Sequence, residues 1–133
     1  MGKLGVRGSG QPVVVTDSRT ILISALAAVP ELTVTTTLPD VPTAGAAWPK
    51  WVQAAPPGSL LFPLTHTFDV YVLLPAGYAP ETVERADGLL GQVCQAIWDV
   101  CVVQLAEPVN VRFDNQTTMP GLRLRVIMRK VQE

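Results

Sequence analysis

Ionisable side chains are scarce in this sequence, and their scarcity excludes several classes of function. Charged residues make up 16% of the 133 residues, whereas soluble domains average about 25%. The formal net charge is −1, which gives no bulk electrostatic reason to expect a free nucleic-acid binder. Hydrophobic residues make up 48%, and the mean hydropathy is +0.31. A chain of one-domain length cannot bury so many apolar residues alone, so we expect other subunits to cover part of its surface.

Groups that could carry catalysis are also few. The single histidine, His66, has no nucleophile motif near it, so we interpret it as a structural residue of a strand. The sequence shows neither a phosphate-binding glycine loop nor the Cys/His spacing of a metal site. We therefore predict a protein that is not an enzyme and that requires no cofactor and no metal.

The two cysteines, Cys94 and Cys101, fall in one predicted helix. Seven helical residues separate their Cα atoms by about 10 Å, which exceeds the roughly 7 Å limit for a disulfide. Both are therefore predicted to be free thiols on the apolar side of that helix.

Membrane insertion and secretion are not expected. The apolar stretches are too short, or too often broken by proline, to cross about 30 Å of hydrocarbon. Residues 1–11 contain no apolar segment of the kind found in secretory signals. We expect a protein made in the cytoplasm and not associated with a membrane.

Hydrophobic periodicity predicts one α+β domain over residues 1–133. The predicted elements, in chain order, are a helix Asp17–Val29, strands Leu32–Leu38 and Leu60–Leu74, a helix Pro80–Val103, and strands Pro108–Asp114 and Leu122–Arg129. This α-β-β-α-β-β order predicts a mostly antiparallel sheet with both helices packed on one face. Residues 1–12 are predicted to form an extended arm, and residues 39–59 a long Pro-, Ala- and Trp-bearing loop.

Three groups of residues are candidates for contacts with partners. Trp48 and Trp51, in the predicted long loop, either cover the domain's own core or anchor a partner. Asn115 and Gln116 occupy the tip of the last hairpin. The third group is a row of arginines predicted on the outward face of the last two strands: Arg112, Arg123, Arg125 and Arg129. That row would be a solvated face, a set of ion pairs with a neighbouring subunit, the lining of a channel shared by the subunits, or a contact with nucleic-acid backbone.

The layout of the chain resembles that of the tail terminator proteins of long-tailed bacteriophages. The segments that carry the resemblance are Val13–Asp17 leading into Ile21–Val29, the strand His66–Leu74, the helix Pro80–Val103 and the hairpin Val109–Val131. The resemblance is one of layout and size over nearly the whole chain, and it includes no short motif. Frequent Ala, Val and Pro also resemble the usage of a phage of a high-GC host.

The resemblance implies a structural virion protein of the phage neck, at the top of the tail. It would form a ring, as a hexamer, that caps the tail tube, ends tube growth and docks to the head-completion protein, with phage DNA passing through the ring. The aromatic, hairpin-tip and arginine residues named above would then be contact residues. The alternatives are another head–tail connector or tail-tube protein of similar fold, and a small cytosolic ligand-binding or enzymatic α+β domain.

Overall fold

The computed structural model describes residues 15–41, 43–55, 65–75, 80–113 and 117–129. In chain order, these residues form α1 (Val15–Leu26), β1 (Thr33–Val34), β2 (Ala46–Ala55), β3 (Thr65–Leu73), α2 (Pro80–Ile97), β4 (Cys101–Arg112) and β5 (Thr118–Met128). The predicted α+β class is confirmed, with one strand more than expected. The predicted arm, residues 1–12, lies outside the described residues.

The described strands form one five-stranded sheet in the order β1-β2-β3-β5-β4. The short β1 pairs parallel to β2, and every other neighbouring pair is antiparallel. The sheet is therefore mostly antiparallel, as predicted. β4 lies at one edge, and within the described ranges the two-residue β1 is the only strand paired with the outer side of β2.

The main core lies between the two helices and one face of the sheet, which we call the helix face. Alternate residues of β3 and β5 point to this face, as the two-residue period of a strand requires. Its buried side chains include Leu22 and Leu26 of α1, Val93 and Ile97 of α2, Phe68, Val70 and Val72 of β3, and Leu124 and Val126 of β5. The alternation predicted for β3 and β5 is confirmed on this face.

A smaller core lies on the opposite face of the sheet, which we call the far face. Ala46, Trp48, Leu73 and Phe113 are buried there, and Val111 packs against them. Val111 and Phe113 therefore do pack in a core, as predicted. Their side chains point to the far face, however, and not towards the helices. One end of the sheet therefore carries apolar packing on both sides.

The predicted long loop over residues 39–59 is wrong in its second half, which is strand β2. β2 pairs with β3 from Ala47 opposite Val72 to Ala55 opposite Thr65, with a bulge between Trp51 and Gln53. Proline misled the prediction, since it is depleted in strands. Pro49 is tolerated because Thr35 donates to the carbonyl of Ala47, so alternate residues of β2 direct their backbone groups away from β3. By the same alternation, the nitrogen of Pro49 points away from β3. It lies beyond the end of β1, which therefore needs no donor from it.

The predicted helix Pro80–Val103 is too long, because α2 ends at Ile97 and β4 begins at Cys101. Cys101 pairs with Met128 and Val103 with Val126 of β5. The β-branched valines here favour a strand, and their spacing happens to continue the helical stripe. The two cysteines therefore do not share a helix, but both are free thiols.

The remaining boundaries move by a few residues. β1 stops at Val34, where the strand was predicted to reach Leu38, and the Oγ1 of Thr35 instead donates to the carbonyl oxygen of Thr37. β5 begins at Thr118, inside the predicted loop. Gly45, just before β2, has φ +90°, and an added Cβ would lie 2.7 Å from the carbonyl oxygen of Glu31, so glycine is required there.

Candidate interaction surfaces

Trp48 and Trp51 both belong to β2 but face opposite sides of it. Trp48 is 5% exposed, and its ring stacks on that of Tyr71 with centroids 5.5 Å apart. Trp51 is 43% exposed and pairs in register with Phe68. Trp48 therefore packs in the smaller core of its own chain, whereas Trp51 presents much of its ring to the surface.

His66 is held by Trp51. The indole Nε1 of Trp51 donates to His66 Nδ1 at 3.3 Å, and His66 is buried. An accepting Nδ1 places the proton of a neutral imidazole on Nε2. This contact gives His66 a place in the packing of β2 against β3, in line with the structural role predicted for it.

Asp69 and Arg125 form a two-pronged ion pair across β3 and β5. They lie directly opposite each other in register, and Arg125 Nε and the second terminal nitrogen reach the two carboxylate oxygens at 2.9 and 3.0 Å. Asp69 is buried, so its charge depends on this partner. The hydrogen bond and the charge of Asp69 raise the pKa of Arg125.

Arg123 forms an ion pair through one terminal nitrogen with Glu107 of β4, its direct neighbour across the strands. This pair is about one-third exposed on each side, and among the described residues the buried Nε of Arg123 has no hydrogen-bond partner. Arg123 and Arg125, both predicted to contact other subunits, are thus neutralised by acids of their own chain.

The predicted single row of four arginines is wrong. The β4–β5 register pairs Arg112 with Thr118, whereas Arg123 and Arg125 occupy alternate positions of β5 on the other side of the sheet. Arg112 therefore lies on the face opposite to that of Arg123 and Arg125. The error arose because the inward side of β4 was assumed to be the helix face, but its second half packs on the far face.

Three predicted contact residues remain, Arg129, Asn115 and Gln116. Arg129 follows β5, and its Nε donates to the carbonyl oxygen of Trp98 at 3.1 Å, so it caps the turn after α2. Asn115 and Gln116 lie outside the described residues.

A cleft of about 660 Å³ wraps around the uncovered edge of β2 and reaches the end of β4. Its walls include Arg19 of α1, Lys50, the Trp48–Tyr71 stack and Arg112. No acidic side chain lines it among the described residues. Both oxygens of Asp69, the register partner of Lys50, accept from Arg125.

Arg19, which is half-buried, contributes a guanidinium with one unsatisfied nitrogen to this cleft. Its Cζ lies 5.9 Å from the ring centroid of Phe68, a cation–π contact. Its Nε is buried and has no hydrogen-bond partner among the described residues. The cleft therefore combines aromatic walls with positive charge that lacks an anionic partner.

The outer edge of β4 is a second exposed surface. Val102 and Leu105 on the strand are 46% and 43% exposed, and Trp98 in the preceding turn is 65% exposed. Phe113 donates to Thr117, and the alternation of hydrogen-bonded pairs from that point directs the nitrogen of Pro108 outwards. The edge thus shows apolar side chains, with one donor missing in its middle.

Within the described part of the chain, no group of three His, Cys, Asp or Glu side chains is placed to hold a metal ion. None of the described helices is long and apolar enough to cross a membrane. Burial raises the pKa of both thiols, Cys101 to about 12, so neither is activated as a nucleophile.

Neither models of known protein families nor curated protein sequences match this chain. The surfaces therefore have to be interpreted from their own chemistry. Sequence reasoning missed the cleft, because Lys50 and Arg112 are distant in sequence and Lys50 was assigned to a loop. The sequence did contain one signal for strand β2. Trp48 and Lys50 alternate with Pro49 and Trp51, as residues on the two faces of a strand do.

Proposed function

We propose that this protein is a structural subunit of a homo-oligomeric ring, a hexamer, which caps the tail tube of a long-tailed phage. In that role it ends tube growth, docks to the head-completion protein and encloses the path of the DNA. The layout of the chain supports the phage assignment by resemblance. The β4 edge is the observation that carries the proposal of assembly.

An edge strand of 12 residues with exposed apolar side chains is a liability for a protein that acts alone. Pro108 and the register shift between Val103 and Leu105 blunt part of this edge, but Val102 and Leu105 still leave exposed apolar side chains on it. Trp98 beside it is of the residue type most enriched at interface hot spots. Burial against another subunit or against the tube removes this surface from water.

The ionisable groups of the far face also suit a scaffold better than a catalyst. Asp69 and Arg125 neutralise each other across strands, as do Glu107 and Arg123. Catalysis needs titratable groups that converge on a substrate, whereas these groups hold neighbouring strands together.

The test is the mass and shape of the purified full chain, alone and with tail-tube protein, by light scattering and negative-stain electron microscopy. We expect six-fold rings, and a double variant Val102→Lys, Leu105→Lys that folds but loses ring formation or tube capping. The matched control is Val41→Lys, which changes a 70% exposed valine away from β4. A wild-type chain that stays monomeric even with tube protein contradicts the proposal.

The cleft favours one alternative, a small domain that binds an anionic aromatic molecule. Its volume is within the usual range of ligand sites. A monomeric protein that binds such a molecule stoichiometrically, with loss of binding in Lys50→Ala, would support this alternative over the ring.

A further inference from the structure

The outward face of α2 has a composition that its own chain does not explain. Glu84, Gly88, Gly91 and Gln95 follow one another at helical spacing on the side away from the core, and Asp87 flanks them. An added Cβ at Gly88 or Gly91 would meet no atom within 4 Å. No close approach inside the described chain therefore requires glycine, although glycine weakens a helix.

This small-residue face carries Glu84 and Asp87 against one cation, Arg85, and so complements the cleft in the sign of its charge. The cleft offers Arg19, Lys50 and Arg112 with no acid among its described walls. The helix offers two exposed carboxylates beside a surface low enough for another chain to come close. We propose that the outward face of α2 of one copy binds in the cleft of the next copy.

The proposal rests on the ring-forming function and assigns the contact between its neighbouring subunits. The two surfaces are different parts of the chain, since α2 covers the helix face while the cleft surrounds the edge of β2. Contacts between different patches are head-to-tail, and they generate a closed ring when the rotation closes. The partner in the cleft is thus a second copy of this chain.

The decisive experiment is a charge exchange in the full-length protein. Lys50→Glu with Arg112→Glu, and separately Glu84→Lys with Asp87→Lys, should each raise the concentration for half-assembly about tenfold or more, because two charge pairs per contact become repulsive. The four changes together should restore rings. All four positions are exposed, but Lys50→Glu places a carboxylate opposite Asp69 across the strands. A thermal melt of each variant therefore accompanies the assembly measurement and separates a loss of folding from a loss of contact.

Matched controls change the charge elsewhere. Ala28→Lys and Val41→Glu place a charge at exposed positions that lie outside α2 and outside the cleft lining, and we expect both to assemble like the wild type. Gly88→Leu adds bulk without charge to the outward face of α2, and it should lower assembly while the monomer keeps its fold. Mass photometry or light scattering over a dilution series gives the readout.

The outcomes separate this inference from the proposed function. Rings in the wild type together with rings in both double variants overturn the cleft contact and leave the ring function intact. Failure of the fourfold variant to assemble also overturns the contact, provided that it folds. A wild type that forms no ring at any concentration, even with tube protein, overturns the ring function itself.

Discussion

The two faces of the sheet are stabilised by different interactions, although the same alternating strands form both. The helix face is an apolar layer in which Phe68, Val70 and Leu124 are fully buried under two helices. The far face carries a small aromatic core at one end and cross-strand ion pairs beside it, with Asp69 buried under Arg125. One face is stabilised mainly by removal of surface from water, and the other in addition by the pairing of charges.

This contrast shows where recognition can reside. A close-packed apolar layer has no free groups to offer a partner, and changes there act through folding. The far face and the β2 edge keep side chains that water or another chain can reach, such as Lys50 and Trp51. The surfaces proposed for assembly accordingly lie outside the main core.

The largest expected effect comes from truncation of the helix-face core. Phe68→Ala should lower the free energy of unfolding by about 3–5 kcal/mol, because the ring is fully buried and the helices cannot close the cavity completely. Its control is Trp51→Ala, which removes the exposed aromatic opposite it in register and should cost less than half as much. Urea unfolding followed by circular dichroism measures both. Equal losses would show that the β2 edge is as tightly packed as the core.

The same contrast between the two faces explains which parts of the fold the sequence predicts. The α+β class and the alternation of β3 and β5 were predictable, because helical stripes and strand periods report one-sided burial. Strand β2 was not, since Pro49 obscures its pattern and pairing with β3 overrides local preference. The β4 boundary failed for a related reason, because Cys101 continues the helical stripe of Ile97 and is also the first residue of the strand.

The candidate surfaces were predictable only as residue types. Arginines were correctly singled out as the sharpest charge feature, but single-residue alternation cannot tell which face of a sheet is inward when both faces are packed. Arg123 and Arg125 find their acids on strands that are distant in sequence, at Glu107 and Asp69. Such pairings depend on which distant strands become neighbours and in what register, and that is decided by the whole sheet.

An intermediate effect distinguishes the two ion pairs of the far face. Asp69→Asn should destabilise the fold by about 1.5–3 kcal/mol, because a buried carboxylate that accepts two charge-assisted hydrogen bonds is lost. Glu107→Gln, the control, changes a pair that water reaches and should cost about 0–1 kcal/mol. Thermal unfolding of both variants at low and high salt checks the order. If Glu107→Gln proves the more damaging, the pairing at β4 and not at β3 holds the far face together.

The smallest expected effect is a pH-dependent loss of stability at Cys101, which measures how strictly the helix face excludes charge. Burial raises the pKa of the Cys101 thiol to about 12, with Arg129 opposing the shift, whereas an unfolded thiol titrates near about 8.5. The unfolded chain therefore releases its proton first, so stability is complete below about pH 8.5 and falls as pH rises towards the folded pKa. By pH 10 the loss should be on the order of 1–2 kcal/mol.

Comparison of wild type with Cys101→Ala isolates this contribution, because other groups that titrate at alkaline pH are common to both. The difference in their free energies of unfolding should shrink from pH 8 to pH 10 by that amount. Cys94→Ala is the control at a less buried thiol whose pKa burial also raises, and its pH-dependent change should be smaller. A Cys101 thiol that reacts with iodoacetamide in the native protein as fast as Cys94 would mean that the helix face admits charge and solvent at the start of β4. The contrast between the two faces would then be one of side-chain composition and not of access to water.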